Sequence, residues 1–161
     1  MLKNSVLKRL FPNETIKIGV TGKVVIAQLK EIFNLWFDSN FLHWGLLKCK
    51  RLTKETKVEV YELTEDATYK IMFAPFGRKL NKLSMTLGQL ADFCHNNQQY
   101  LHPKLATFIL LKKKICFFWR VYFVADVYAH SDGLDVSVHR FEYGFVWGAS
   151  GRPWVVVLAT D

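Results

Sequence analysis

The residues in this chain best suited to chemistry are two Asp/His combinations near the C-terminus, Asp126 with His139 and His130 with Asp135. They lie on either side of Asp132-Gly133, a dipeptide that favours a two-residue hairpin turn. With that dipeptide as the turn, Asp126 opposes His139, His130 opposes Asp135, Tyr128 opposes Ser137 and Tyr122 opposes Tyr143. A carboxylate beside an imidazole raises its basicity and fixes its ring, which is what a general base requires. Asp126 and His139 are therefore the candidate catalytic pair. The same two residues also make an ordinary cross-strand charge pair, worth about 0.2–1 kcal/mol. The sequence places no nucleophile or oxyanion donor beside them.

Other chemistries fit less well. A metal site drawing on Asp126, His130, Asp135 and His139 is excluded by strand geometry, because residues 126 and 130 would be about 13 Å apart at ~3.3 Å per residue. Cys49, Cys94 and Cys116 form no CxxC pair, so no local zinc knuckle is expected and the thiols read as reduced, small apolar groups. Cys94 and His95 adjoin on a helix and point about 100° apart, and Cys94 falls on the apolar stripe. Val20-Thr21-Gly22-Lys23 lacks the spacing of a phosphate-binding loop. No metal and no cofactor are expected.

Charge points elsewhere. The chain carries +8 from 22 basic and 14 acidic side chains, with most of the excess in its first half. Such a balance suits anionic partners. Basic stretches at Lys50, Arg51 and Lys54, at Arg78 and Lys79, and at Lys112, Lys113 and Lys114 are candidate phosphate contacts. Arg120, Tyr122, Tyr128 and Tyr143 would supply a further cation and rings on which bases stack. Asp126, Asp135 and Glu142 on the same hairpin would oppose phosphate locally.

The elements that must position these residues read as one α+β domain over 1–161, with a possible sub-division near 75–83 where Pro75 and Gly77 interrupt the pattern. Residues 3–10 suit a short amphipathic helix, and 15–20 a short strand. Val25, Leu29, Ile32, Phe33 and Trp36 make a helical stripe over 23–38. Residues 57–63 and 68–74 alternate apolar and polar and read as a hairpin. Thr86 with Gln89 forms a capping box that opens a helix ending before Pro103. Four strands follow, at 105–111, 115–129, 134–147 and 154–159, with Lys112–Lys114 as the first loop. The expected fold is thus an antiparallel β-meander of four C-terminal strands plus an N-terminal hairpin, with two or three helices on one face.

Turns fix register, and register fixes which side chains share a face. One face gathers Leu105, Ile109, Leu111, Ile115, Phe117, Trp119, Val121, Phe123, Val127, Val136 and Val138, and is core. The other carries Arg120, Tyr122, Asp126, Tyr128, His130, Asp135, Ser137, His139, Tyr143, Phe145 and Trp147, extended by Trp154, Val156 and Leu158. Phe108, Leu110 and Phe118 add an apolar end that needs cover.

The leading expectation is a small, basic, cytoplasmic, non-enzymatic protein that binds nucleic acid or a complex containing it. The N-terminus lacks a signal-peptide pattern, and no apolar run is long enough to span a membrane. One alternative is a small hydrolase or nuclease using Asp126 and His139. Another is a homo-oligomeric or partner-bound interaction protein without catalysis.

Overall fold

The computed structural model describes residues 5–48, 52–114 and 119–160. In chain order its elements are β1 (Leu7–Leu10), β2 (Ile16–Ile18), α1 (Ile26–Ile32), β3 (Trp36–Phe37), α2 (Asn40–His43), β4 (Thr56–Leu63), α3 (Tyr69–Phe73), α4 (Leu80–Leu83), α5 (Leu87–Asn96), β5 (Thr107–Lys114), β6 (Arg120–His130), β7 (Gly133–Arg140) and β8 (Trp154–Leu158). The chain is α+β. Its strands form one eight-stranded mixed sheet in the order β1-β4-β8-β5-β6-β7-β3, with β2 beside β1 on the same edge of β4. No helix among the described residues is long and apolar enough to cross a membrane.

The expected meander holds for β5, β6 and β7, which pair antiparallel in sequence order. It fails at β8. After β7 the chain returns across the sheet and inserts β8 between β4 and β5, antiparallel to the first and parallel to the second. The composition of β8 explains the placement. Val155 and Val157 are buried in one core and Val156 and Leu158 in the other, and a strand apolar on both faces belongs in the middle of a sheet.

Three further expectations change. Residues 7–10 form a strand rather than a helix: Leu7 pairs with Leu63 and Leu10 with Val60, so β4 supplies backbone partners that four residues of isolated helix could not supply for themselves. Residues 69–73 are helical instead of the second arm of a hairpin. Both edges of β4 are already taken, by β1 and β2 on one side and β8 on the other. Tyr69, Met72 and Phe73 then bury one helical face, and Thr68 Oγ1 caps the helix by accepting from the Ile71 N–H at 3.4 Å. The stripe over 23–38 breaks after α1, where Leu29 and Phe33 are buried but Trp36 is exposed on the edge strand β3, parallel to β7.

Helices cover both faces of the sheet, where cover of one was expected. α1, α2 and α5 enclose the first core with Ile109, Leu111, Phe123, Ala125, Val127, Val136 and Val138. The capping box is formed, with the Gln89 N–H donating to Thr86 Oγ1 and the Thr86 N–H to Gln89 Oε1. On the second face α3, residues 74–79 and α4 bury Tyr69, Met72, Phe73, Phe76 and Leu83 against Phe108, Leu110 and Val124. Beyond Ile109, where β8 stops pairing with β5, Met85 pairs with β5 in its place, its N–H donating to Leu110 O.

Register differs from the expected one by even steps. His130 pairs with Gly133, so Ser131-Asp132 is the turn and Gly133 the first residue of β7. Lys112, Lys113 and Lys114 are not a loop but the end of β5, with Lys112 opposite Tyr122 and Lys114 opposite Arg120. An even shift keeps every side chain on its face, which is why the two-face division holds for β5, β6 and β7. Trp119 departs from it, being largely exposed rather than core. In β8 the expected faces are reversed: Val156 and Leu158 belong to the first core. Ile115, Phe117, Phe118, Lys50 and Arg51 lie outside the described residues.

Candidate functional site

Asp126 and His139 are brought together, on the diagonal of the ladder rather than directly opposite. Asp126 pairs with Ser137 and His139 with Val124, yet His139 Nδ1 lies 3.2 Å from Asp126 Oδ2. The sequence did not reveal the third member. Tyr69, from α3, donates its hydroxyl to Asp126 Oδ1 at 2.8 Å, and that hydroxyl is 3.3 Å from His139 Nδ1. Tyr69 is fully buried and Asp126 nearly so, while the His139 side chain keeps 29% of its exposure.

The electrostatics follow from this burial. Desolvation and the adjacent carboxylate drive the Tyr69 phenol far above its ordinary value, so it stays a neutral donor. Burial pushes the Asp126 carboxyl up, against the lowering effect of its bonds from His139 and Tyr69. The hydrogen bond to Asp126 raises His139 more than its own partial burial lowers it. With Nδ1 facing the carboxylate, the remaining ring nitrogen, Nε2, is the one a proton-transfer partner would meet.

Around the pair stands an aromatic cluster. The His139 ring stacks on Tyr143 at 4.7 Å with planes 6° apart, and Tyr143 stacks on Phe145 at 6.0 Å. Trp147 packs edge-on to Phe145 and His139 and against Tyr69 and Phe108. Its indole N–H is buried with no acceptor among the described residues. Tyr143 and Phe145 are about half exposed. The segment carrying them is tied down where Ala67 and Trp147 exchange backbone hydrogen bonds at 3.0 and 2.8 Å.

The second Asp/His pair is also formed, with His130 Nε2 at 2.6 Å from Asp135 Oδ2, in the open at the hairpin end. Among the described residues no group of three or more His, Cys, Asp or Glu could hold a metal ion.

The expected nucleic-acid contacts do not form one surface. Tyr122 and Tyr128 share a face of β6, but they are six positions apart, about 20 Å of strand. Tyr128 and Tyr143 belong with the Asp/His end. Lys112, Arg120 and Tyr122 belong to the other end, where β5 finishes and β6 begins. Arg78, Lys79 and Lys82 approach the same end, because Lys112 Nζ donates to Asn81 O at 3.0 Å. Lys113 points to the opposite face, where its Nζ donates to Trp44 O at 2.8 Å. Lys54 precedes β4, whose first residues pair with the end of β8.

Acids are engaged mainly away from that end. Glu59 and Glu62 pair with Arg9, Lys8 and Arg152 along the outer strands, and Asp126 and Asp135 pair with histidines. Arg78, Lys79, Lys82 and Arg120 have no acidic partner within 4.0 Å among the described residues. Glu142, exposed just beyond β7, is the acid nearest to them along the hairpin.

Comparison of the chain with known protein families, with curated proteins and with solved structures finds no match.

Proposed function

We propose that this protein binds single-stranded nucleic acid across the cationic end of the second sheet face, the end that carries Tyr122, with Arg78, Lys79, Lys82, Lys112 and Arg120 as the phosphate contacts. The observation that carries the reading is that four of these cations, Arg78, Lys79, Lys82 and Arg120, have no acidic partner within 4.0 Å among the described residues, in a chain of net charge +8. Unpaired cations release counterions from a phosphate backbone. A ring among them, Tyr122 at 6.2 Å from Phe141, offers a surface for base stacking. The role is that of a cytoplasmic binding protein that acts on nucleic acid or a complex containing it.

The test is the salt dependence of binding to labelled single-stranded RNA and DNA, read by fluorescence anisotropy. Affinity is expected to fall steeply with salt. In a variant carrying Arg78→Gln, Lys79→Gln and Arg120→Gln, the slope of log affinity against log salt should shrink by about 0.7 for each lost phosphate contact. Salt-insensitive binding, or none, rules the reading out.

One observation favours a second reading, a small hydrolase. The Tyr69–Asp126–His139 group holds an imidazole by Nδ1 and leaves Nε2 for a proton-transfer partner, an arrangement fit for a general base. It predicts that His139→Ala abolishes a nuclease or esterase activity while the chain still folds and melts cooperatively. An unchanged activity, or loss of the fold, makes the pair structural.

A further inference from the structure

We propose a second ligand site on the opposite face of the sheet: a pocket for a small phosphate-bearing ligand with a planar ring, of the size of a mononucleotide. It stands independently of the nucleic-acid reading, because its residues point away from the face that carries Arg120 and Tyr122. The cavity encloses about 330 Å³ between the α2 region and the ends of β5, β6 and β7. That volume lies at the lower end of what small-molecule sites occupy, which limits the occupant to one nucleotide or less.

Its lining is chemically one-sided. Lys113, Arg140 and His43 face it, and among the described residues no carboxylate does. Lys113 is aimed by its bond to Trp44 O. Arg140 has no acidic partner within 4.0 Å among the described residues, and its guanidinium lies 4.9 Å from the centre of the Trp44 ring. A guanidinium set over a ring face still presents N–H donors at its edge, the fork that matches two phosphate oxygens. Two fixed cations without a counter-charge suit a dianion better than a single carboxylate. The wall beside them is aromatic: Trp44 stacks on the buried Phe123 at 5.6 Å with planes 21° apart, and Val121 completes it. A flat heterocycle attached to the phosphate would lie against that wall.

The register explains why these groups meet. Arg140 is directly opposite Phe123 on the β6–β7 ladder, and Lys113 opposite Val121 on the β5–β6 ladder. All four thus share one face at one end of the sheet, and the turn after α2, with Gly45 at φ 68°, brings Trp44 down onto them.

The experiment is calorimetric titration of the whole chain with UMP, uridine and inorganic phosphate. Binding of UMP is expected, with both uridine and phosphate weaker. Arg140→Gln and Lys113→Gln, made separately and checked by circular dichroism so that one folded variant suffices, should each weaken UMP by about tenfold or more, the size of a lost hydrogen bond to a charged group. Lys104→Gln, an exposed lysine before β5 at the end away from Lys113, should leave it unchanged. The proposal is overturned if UMP does not bind, if phosphate alone binds as tightly, if Arg140→Gln and Lys113→Gln bind as the parent does, or if Lys104→Gln loses as much as they do.

Discussion

At the scale of single residues, Asp126 is the position on which most depends. Its carboxylate is almost wholly removed from water, yet it receives bonds from Tyr69 and His139. A charge buried to that degree persists only when paired and hydrogen-bonded. Asp126→Asn should therefore destabilise the fold by about 3–5 kcal/mol or less, the amide keeping some of the bonds that an alanine would lose. The variant also separates direction from magnitude. In the parent, the His139 imidazole titrates above its ordinary value because of Asp126, and without that carboxylate desolvation, which lowers it, is opposed only by the smaller pull of Asp38. A raised folded value means that the stability contributed by the His139 proton is present below about pH 6.5, while Asp126 stays ionised, and fades as pH rises through the folded value. Histidine NMR titration of the two proteins checks this, and an unchanged His139 midpoint in Asp126→Asn would sink it. The sequence brought Asp126 and His139 together because both lie on one hairpin. It could not bring Tyr69, 57 residues away, because nothing local links α3 to the sheet; only packing does.

At the scale of elements, the β6–β7 hairpin shows what local patterns carry and what they miss. Asp132-Gly133 correctly marks the reversal, but Gly133 serves as the first residue of the strand, at φ 155°. The reason lies across the sheet edge. Asn34, just past α1, accepts the Leu134 N–H at 3.1 Å and donates to Asp132 O at 3.1 Å. A β-carbon on Gly133 would come within 2.0 Å of Asn34 Oδ1. Gly133→Ala must displace that clamp and both of its hydrogen bonds, at a cost of about 1–3 kcal/mol. Denaturant unfolding measures it, and a variant as stable as the parent would show that the clamp is dispensable. Faces were readable here because alternation has period two, so the even slips left the core side unchanged. Element type was less readable. Residues 69–73 carry β-formers in a strand-like alternation, and only the lack of a free edge on β4 decides for a helix.

At the scale of the whole molecule, the decisive event is one that no local signal announces: the final strand joins two halves. β1, β2 and β4 lie on one side of β8, and β5, β6, β7 and β3 on the other. β8 touches both, through five residue pairs with β4 and three with β5. The run Trp154-Val155-Val156-Val157-Leu158 did hold a clue. A strand apolar at every position wants burial on both faces, whereas the closing edge of a meander has one face or one edge in water. Topology was missed because a strand's neighbours are chosen by the assembled sheet. The consequence is a sharp expectation. Val155, Val156, Val157 and Leu158 are each nearly or wholly buried, and burying such side chains contributes about 1.5–3 kcal/mol apiece, a sum comparable to the 5–15 kcal/mol that holds a typical domain folded. A chain ending at Arg152 should therefore lose its cooperative thermal transition altogether, since its two half-sheets would be left with unpaired inner edges. Adding a peptide of residues 153–161 in excess should restore the transition by strand addition between β4 and β5. If the shortened chain melts cooperatively near the parent's temperature, β8 is a covering strand, and the two halves of the sheet hold together without it.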